Sequence, residues 1–234
     1  MKATTVTIGV WCLALSGALA LGADDNKRAT EVRERLRNAE TSLREVMAVP
    51  EKEIPRDLIE KAQCAVIIPG MKQGAFIVGA KYGKGFITCR GRNDRGWSAP
   101  ANVRLEGGSV GFQIGGAETD VFLLVMNQEG ERILNSEFKI GAEAAAMAGP
   151  VGRQAQANTD AYMRAKILGW SRARGAFAGV ALEGSTLRED MDDNRALYGR
   201  ALTNKEIVRG KVTMPAEASA LVKTLTSFSP VEKR

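Results

Sequence analysis

The stretch from Ser109 to Asn127 places the strongest constraint on the fold. Val110, Phe112 and Ile114 alternate with small or polar residues, the period of a half-buried strand, and Val121 to Met126 is an unbroken apolar run suited to a fully buried one. Gly115 and Gly116 lie between them. Glycines at that density let a backbone bulge, bend or approach another segment closely, so the stretch reads as two adjacent strands at the centre of a curved sheet.

A chain of 234 residues, 44% of them hydrophobic, buries one good-sized core without disulfides or metal, and one main domain is expected. Histidine is absent, which removes the usual general base, the commonest metal ligand and every histidine-containing triad. Outside the leader only Cys64 and Cys89 remain, too few for a cysteine zinc site. Glu118, Asp120, Glu137 and Glu143 lie in or near the apolar centre, but no motif selects a pair for carboxylate chemistry. The chain reads as non-catalytic, without cofactor or metal. Its formal charge of +6, from 33 basic and 27 acidic residues, suits an anionic surface such as lipid headgroups. Nucleic acid is set aside as a partner, because basic residues are spread along the chain and neither an RNA-binding aromatic signature nor zinc-finger spacing occurs.

Residues 1–23 carry Lys2, an uncharged apolar segment from Val6 to Leu15, and the small residues Ala18, Ala20, Gly22 and Ala23. That is the pattern of a secretory signal. Cleavage after Ala20 or Ala23 fits; an uncleaved membrane anchor is the alternative, since the uncharged stretch is nearly long enough to span a bilayer. Cys12 follows bulky Trp11 in mid-segment and is not a lipidation site. The expected setting is the bacterial envelope, with the protein periplasmic or secreted and peripheral to a membrane.

Residues 24–56 form an amphipathic segment. Val32, Leu36, Ala39, Leu43, Val46 and Met47 fall on one stripe of a helix predicted over Ala29–Val49, with Arg33, Arg37 and Arg44 along one flank. Such a helix either docks on its own domain, supported by the pairs Glu31–Arg35 and Glu40–Arg44, or lies in a lipid interface with its guanidinium groups at phosphates. A short helix from Pro55 to Ala62 follows. Strands are predicted over Ala65–Ile68, Gly74–Lys81 and Gly85–Arg90, with Tyr82-Gly83-Lys84 as a hairpin turn. In that meander Cys64 and Cys89 sit on opposite edges of the middle strand, which argues against a disulfide even in an oxidising compartment unless the sheet curls into a barrel.

Beyond the centre, Gln128–Ser136 reads as a turn plus short helix, and Ala142–Ala148 as a small-residue stretch able to pack closely beneath other strands. Two more strands, Ala161–Trp170 and Gly175–Leu182, flank a basic turn; Arg164, Lys166, Arg172 and Arg174 make the most compact basic patch. Helices over Arg188–Tyr198, Asn204–Arg209 with Thr203 as N-cap, and Ala216–Phe228 are expected to cover one face of the sheet, and residues 229–234 form a tail. The glycines at 79, 83 and 85 mimic a phosphate loop only weakly, because they lie between strand-like runs and open no helix.

Four ordered blocks carry a resemblance: Gly74-Ala-Phe-Ile-Val-Gly-Ala-Lys-Tyr-Gly-Lys-Gly85, Gly96-Trp97-Ser-Ala-Pro100, Gly108 to Asp120, and Phe177 to Ser185. Together they resemble the SYLF domain, also called the Ysc84 or DUF500 lipid-binding family, over roughly residues 57–228. The resemblance implies phospholipid binding, with phosphoinositides bound by eukaryotic members through an amphipathic N-terminal helix, and actin binding and bundling in the yeast branch. Carried onto this chain, the helix property falls on Val32, Arg33, Leu36, Arg37, Leu43, Arg44 and Met47. An exported protein meets no cytosolic actin, so actin is set aside as a partner. The expectation is an α+β domain: a strongly curved, mainly antiparallel sheet with an amphipathic helix before it and covering helices after it. It is expected to act as a binding module for anionic phospholipid, using the helix flank and the basic patch. The alternative is an envelope structural or protein-interaction module without lipid preference, its protein partner unidentified.

Overall fold

The computed structural model describes residues 14–49, 53–75, 78–91, 96–110, 117–127, 132–142, 146–150, 165–173, 176–178, 182 and 184–229. Helices α1 (Ala14–Met47) and α2 (Arg56–Lys61) precede strands β1 (Cys64–Ala75), β2 (Val78–Cys89), β3 (Ala101–Val110), β4 (Ala117–Val125), β5 (Glu137–Lys139), β6 (Ala146–Ala148), β7 (Ile167–Ala173), β8 (Ala176–Ala178) and β9 (Ser185–Glu189). Helices α3 (Met191–Tyr198), α4 (Asn204–Arg209) and α5 (Ser219–Phe228) close the chain. Among the described residues the nine strands make one strongly curled sheet in the order β5-β9-β3-β2-β1-β4-β7-β6, with β8 paired to β7. Among the described pairings, β6 with β7 is parallel and the rest are antiparallel. The α+β architecture is the one expected.

Alternation along β1 and β4 divides the interior in two. Ala65, Ile67, Phe122 and Leu124 point to a core shared with the α1 stripe, Leu58 and Ile59 of α2, and Leu221 and Leu225 of α5. Cys64, Val66, Ile68, Val121, Leu123 and Val125 point to a second core with Val103, Leu105, Phe138 and, from α4, Ile207 and Val208. A strand buried on both faces reads as an unbroken apolar run, which is why Val121–Met126 carries no alternation. The C-terminal helices therefore do not share one face, as expected from sequence: α5 joins α1, while α4 covers the opposite side.

Strand β3, which ends in Ser109 and Val110 of the opening stretch, does not pair with β4. Between β3 and β4 lies the β1–β2 hairpin, paired from Cys64 opposite Cys89 to Ala75 opposite Gly79. Phe112, Ile114, Gly115 and Gly116 lie outside the described residues. Strand β1 runs through Pro69 and Gly70, with a bulge between Ile67 and Lys72, the kind of site where a strand tolerates proline. Tyr82-Gly83-Lys84 is not a turn but the middle of β2. Its glycines answer to close approach: a Cβ on Gly85 would stand 2.1 Å from the Ile67 carbonyl oxygen.

This longer hairpin corrects the expectation for the cysteines. With two strands in place of three, Cys64 faces Cys89 directly and the two form a disulfide, S–S 2.01 Å. Strand β9 was also missed: Ser185 to Glu189 pair with β3, and the helix expected from Arg188 starts at Met191, after Asp190 as its cap. Thr203 does cap α4, in a capping box with Glu206. Helix α1 begins at Ala14, well before the expected start, and among the described residues no helix is long and apolar enough to cross a membrane.

The Gly96-Trp97 block acts as a fastener. Trp97 Nε1 donates to Ser229 Oγ at 2.9 Å, and the buried Arg90 guanidinium lies 4.2 Å over the indole while donating to the carbonyls of Ile59 and Glu60. One arginine thus ties the end of α2 to the end of α5. Replacing both cysteines by alanine is expected to cost about 3 kcal/mol, the loop-entropy scale for a sequence separation of 25. Urea unfolding of the Cys64→Ala/Cys89→Ala protein against the parent reads this, and unchanged midpoints would show that the thiols are not joined.

Candidate functional site

Helix α1 is docked. Val32, Leu36, Leu43 and Met47 are each 5% exposed or less, packed in the core that holds Phe86, Phe122 and Trp170. At about 1.5–3 kcal/mol for each large apolar side chain buried, this contact is worth on the order of 10 kcal/mol as an upper estimate. The stripe that sequence reading offered to a lipid interface is core in this structure.

The arginines of the same helix remain outside. Positions 33, 37 and 44 fall within about 40° of one another at about 100° per residue, and all three are exposed. Arg33 Nε pairs with Glu217 at 3.1 Å, and Arg44 pairs with Glu40, which also accepts from Thr224 at 3.0 Å. Exposed pairs of this kind contribute about 0–1 kcal/mol and leave the guanidinium groups in water. Arg37 has no hydrogen bond or ion pair among the described residues.

Two ion clusters hold α1 in place. Arg35 does not pair with Glu31 as the local spacing suggested; its Nη1 donates to Asp193 Oδ2 at 2.7 Å, across the molecule on α3. Asp193 is buried and also takes Lys84 at 3.0 Å and Arg28 at 3.4 Å, while Lys84 Nζ reaches Asp190 at 2.7 Å. Burial pushes the Asp193 carboxyl upward, but the Lys84 hydrogen bond and the charge and hydrogen bond of Arg35 outweigh it and hold the group below the usual carboxylate range. In the same way Lys84 is lowered by burial but raised, on balance, by its bonds to Asp190 and Asp193. Sequence reading found neither aspartate; the only signal was the cap itself, where Asp190 accepts from the Asp193 amide.

The second cluster takes a residue from the expected basic patch. Arg172 Nη2 donates to Asp120 at 2.9 Å and also pairs with Glu45 of α1. Asp120 Oδ1 meanwhile accepts from the Gly70 amide at 2.9 Å, at the β1 bulge. Arg172 is thus a clamp between α1, β1 and β4, and only 15% of its side chain is exposed. Lys166 is exposed at the other end of the β4–β7 ladder, so the two described members of the patch are not brought together; Arg164 and Arg174 lie outside the described residues.

Of the carboxylates considered for catalysis, Glu118 and Asp120 line one open groove beside α1, and the others do not join them there among the described residues. Both oxygens of Asp120 are engaged, Glu137 sits on β5 paired with Arg188 at the far end of the sheet, and Glu143 lies outside the described residues.

The described residues thus form a curled sheet clamped to a long helix that leaves an arginine edge in solvent. Residues 106–228 match the Ysc84 family, described as Las17-binding protein actin regulators, and the chain belongs to that family. It is 36% identical over 181 residues to an SH3 domain-containing protein of Schizosaccharomyces pombe, covering 74% of this chain and 41% of that protein. To the protein YSC84 of Saccharomyces cerevisiae it is 34% identical over 179 residues, 74% of this chain and 38% of that one. To the SH3 domain-containing YSC84-like protein 1 of Bos taurus it is 31% identical over 182 residues, 77% and 53% respectively. The match spans about half or less of these relatives' lengths. No solved structure matches the chain.

Asp193→Asn takes from Arg35 its buried counter-charge and leaves Lys84 with Asp190 alone, and the expected loss is about 3 kcal/mol of stability, measured by urea unfolding at neutral pH. Because the folded carboxyl titrates below its unfolded value, the contribution of Asp193 is fully present above the ordinary aspartate pKa of about 3.9 and is lost as pH falls through the lower folded value. The gap between parent and variant is therefore expected to narrow only below about pH 4. A gap that closes between pH 5 and 7 would show that the charge is not buried as described.

Proposed function

We propose that this protein binds anionic phospholipid at a membrane surface through Arg33, Arg37 and Arg44, with α1 remaining docked. The observation that carries the reading is the division of α1: its apolar stripe is spent on the core, while three arginines stand in line on the outer edge. Contact is then electrostatic and peripheral, made by guanidinium groups at phosphate-bearing headgroups. At about 1 kcal/mol for each arginine near an anionic surface, the edge supplies about 3 kcal/mol, so Arg33→Glu/Arg37→Glu/Arg44→Glu is expected to weaken binding at least about 100-fold. Co-sedimentation with phosphatidylglycerol vesicles, against phosphatidylcholine vesicles, measures it. Absence of binding at low salt, or binding indifferent to the triple reversal, would overturn the reading.

The reading includes export. The signal pattern of residues 1–23 supports it, as does a disulfide between Cys64 and Cys89, since structural disulfides persist in oxidising compartments. Intact-mass analysis of the protein from cells is expected to show a chain beginning at Leu21 or Asp24, and a cytosolic chain retaining residues 1–23 would count against export.

A second reading, protein interaction without lipid preference, is favoured by the family's description as Las17-binding actin regulators. It predicts equal behaviour toward both vesicle types and recovery of a stable partner by crosslinking.

A further inference from the structure

Helix α5 runs beside the arginine edge of α1, and two hydrogen bonds fix how. Arg33 Nε donates to Glu217 Oε1 at 3.1 Å, and Thr224 Oγ1 donates to Glu40 Oε1 at 3.0 Å. Both pairs span the same sequence separation, 184 residues. The two helices are therefore parallel and in register over about two turns, with Arg37 level with Leu221 and Arg44 level with Phe228. We propose that the membrane-contact surface is this pair of helices and not α1 alone, with Lys223 of α5 as a fourth cation and Glu217 as a fixed counter-charge that confines binding to strongly anionic bilayers. The inference rests on the lipid reading and adds to it a second element and a charge threshold.

Leu221 and Leu225 face the core, which turns the opposite side of α5 to solvent. Ala220, Lys223 and Ser227 occupy that side at the spacing that keeps one face of a helix, and all three are exposed. Lys223 has no hydrogen bond or ion pair among the described residues, and Ala220 and Ser227 beside it are too short to hold a headgroup away from its ammonium. Packed helices lie about 8–10 Å apart, within the Debye length of about 10 Å at 0.1 M salt. An anionic surface thus meets the charges of α1 and α5 as one patch.

The same patch carries its own opposition. Glu217 is exposed on the 3-10 turn Ala216–Ala218 that leads into α5. The hydrogen bond from its own backbone amide, and then that from Arg33, hold its carboxyl below the usual carboxylate range, so it is ionised at neutral pH. Glu40 pairs with Arg44 as Glu217 does with Arg33. Two of the four cations are matched at close range, which leaves Arg37 and Lys223 to present unmatched charge. The attraction of so small a net charge grows with the density of anionic lipid, and repulsion between Glu217 and lipid phosphates raises the density required.

Co-sedimentation of the full protein with phosphatidylcholine vesicles carrying a rising fraction of phosphatidylglycerol tests both roles. One charge near an anionic surface is worth about fivefold in affinity, at about 1 kcal/mol. Lys223→Gln is therefore expected to weaken binding about fivefold, while Glu217→Gln and Ala220→Lys each strengthen it about fivefold and lower the phosphatidylglycerol fraction needed for half-maximal binding. Lys205→Gln removes the same charge as Lys223→Gln from α4, on the opposite side of the sheet, and leaves binding unchanged. All four positions are exposed, and circular dichroism checks the fold of each variant. The proposal is overturned if Lys223→Gln and Lys205→Gln act alike, if either Glu217→Gln or Ala220→Lys fails to strengthen binding, or if soluble glycerol phosphate at matched phosphate concentration displaces the vesicles. Loss of binding on reversal of Arg33, Arg37 and Arg44, with all four single variants silent, sinks the two-helix surface and leaves the lipid reading standing. No binding by the parent at any composition overturns both.

Discussion

Strands β1 and β4 carry apolar side chains on both faces, so the sheet needs cover twice over. One face is closed by the inward curl of the sheet itself, with β5, β9 and the short helix α4 brought round to meet it. Among the described residues the other face is sealed by helices, of which α1 supplies the largest share. From that requirement the standing of α1 follows. A helix whose stripe from Val32 to Met47 completes a core is a structural member first, and any dealings with a ligand fall to the residues left on its two flanks.

Those flanks differ in sign. On one side Arg33, Arg37 and Arg44 look outward; on the other Glu31 and Glu34 face the bulge of β1. The separation is maintained by acceptors on other elements, Asp193 buried and Asp120 half-buried. Asp193 draws Arg35 and Arg28 to α3, and Asp120 draws Arg172 toward Glu45. Local pairing along a helix is worth a few tenths of a kcal/mol, whereas a desolvated carboxylate demands its counter-charges far more strongly. That difference decides why Arg35 leaves Glu31.

Features governed by short-range rules were legible in the sequence. The stripe of α1, the buried run of β4, Pro55 before α2 and the Thr203 cap of α4 all stand where periodicity and capping chemistry put them. Two kinds of feature were not. Glycines at 83 and 85 have the composition of a turn but exist because β1 presses on β2, and mistaking one cause for the other split a hairpin in two and hid the pairing of Cys64 with Cys89. The ion clusters were equally hidden, since Lys84 and Asp193 are brought together by topology across 109 residues and no local spacing announces them. Of the residues singled out for lipid, the arginines of α1 were placed on the surface as read, while the apolar four and Arg172 turned out to hold the fold.

The core beneath α1 is closed from both ends of the chain. Helix α1 meets α5 through Glu40 and Thr224, a sequence separation of 184, and Leu36 shares a cluster with Leu221. Contacts between such distant segments add loop-closure cost and slow folding. A nascent chain that has emerged only as far as β7 has an amphipathic helix and an apolar sheet face but lacks the last piece that seals one to the other. Closure of this core therefore waits on α5, and until that helix docks, the stripe of α1 and the sheet face beneath it stay only partly covered.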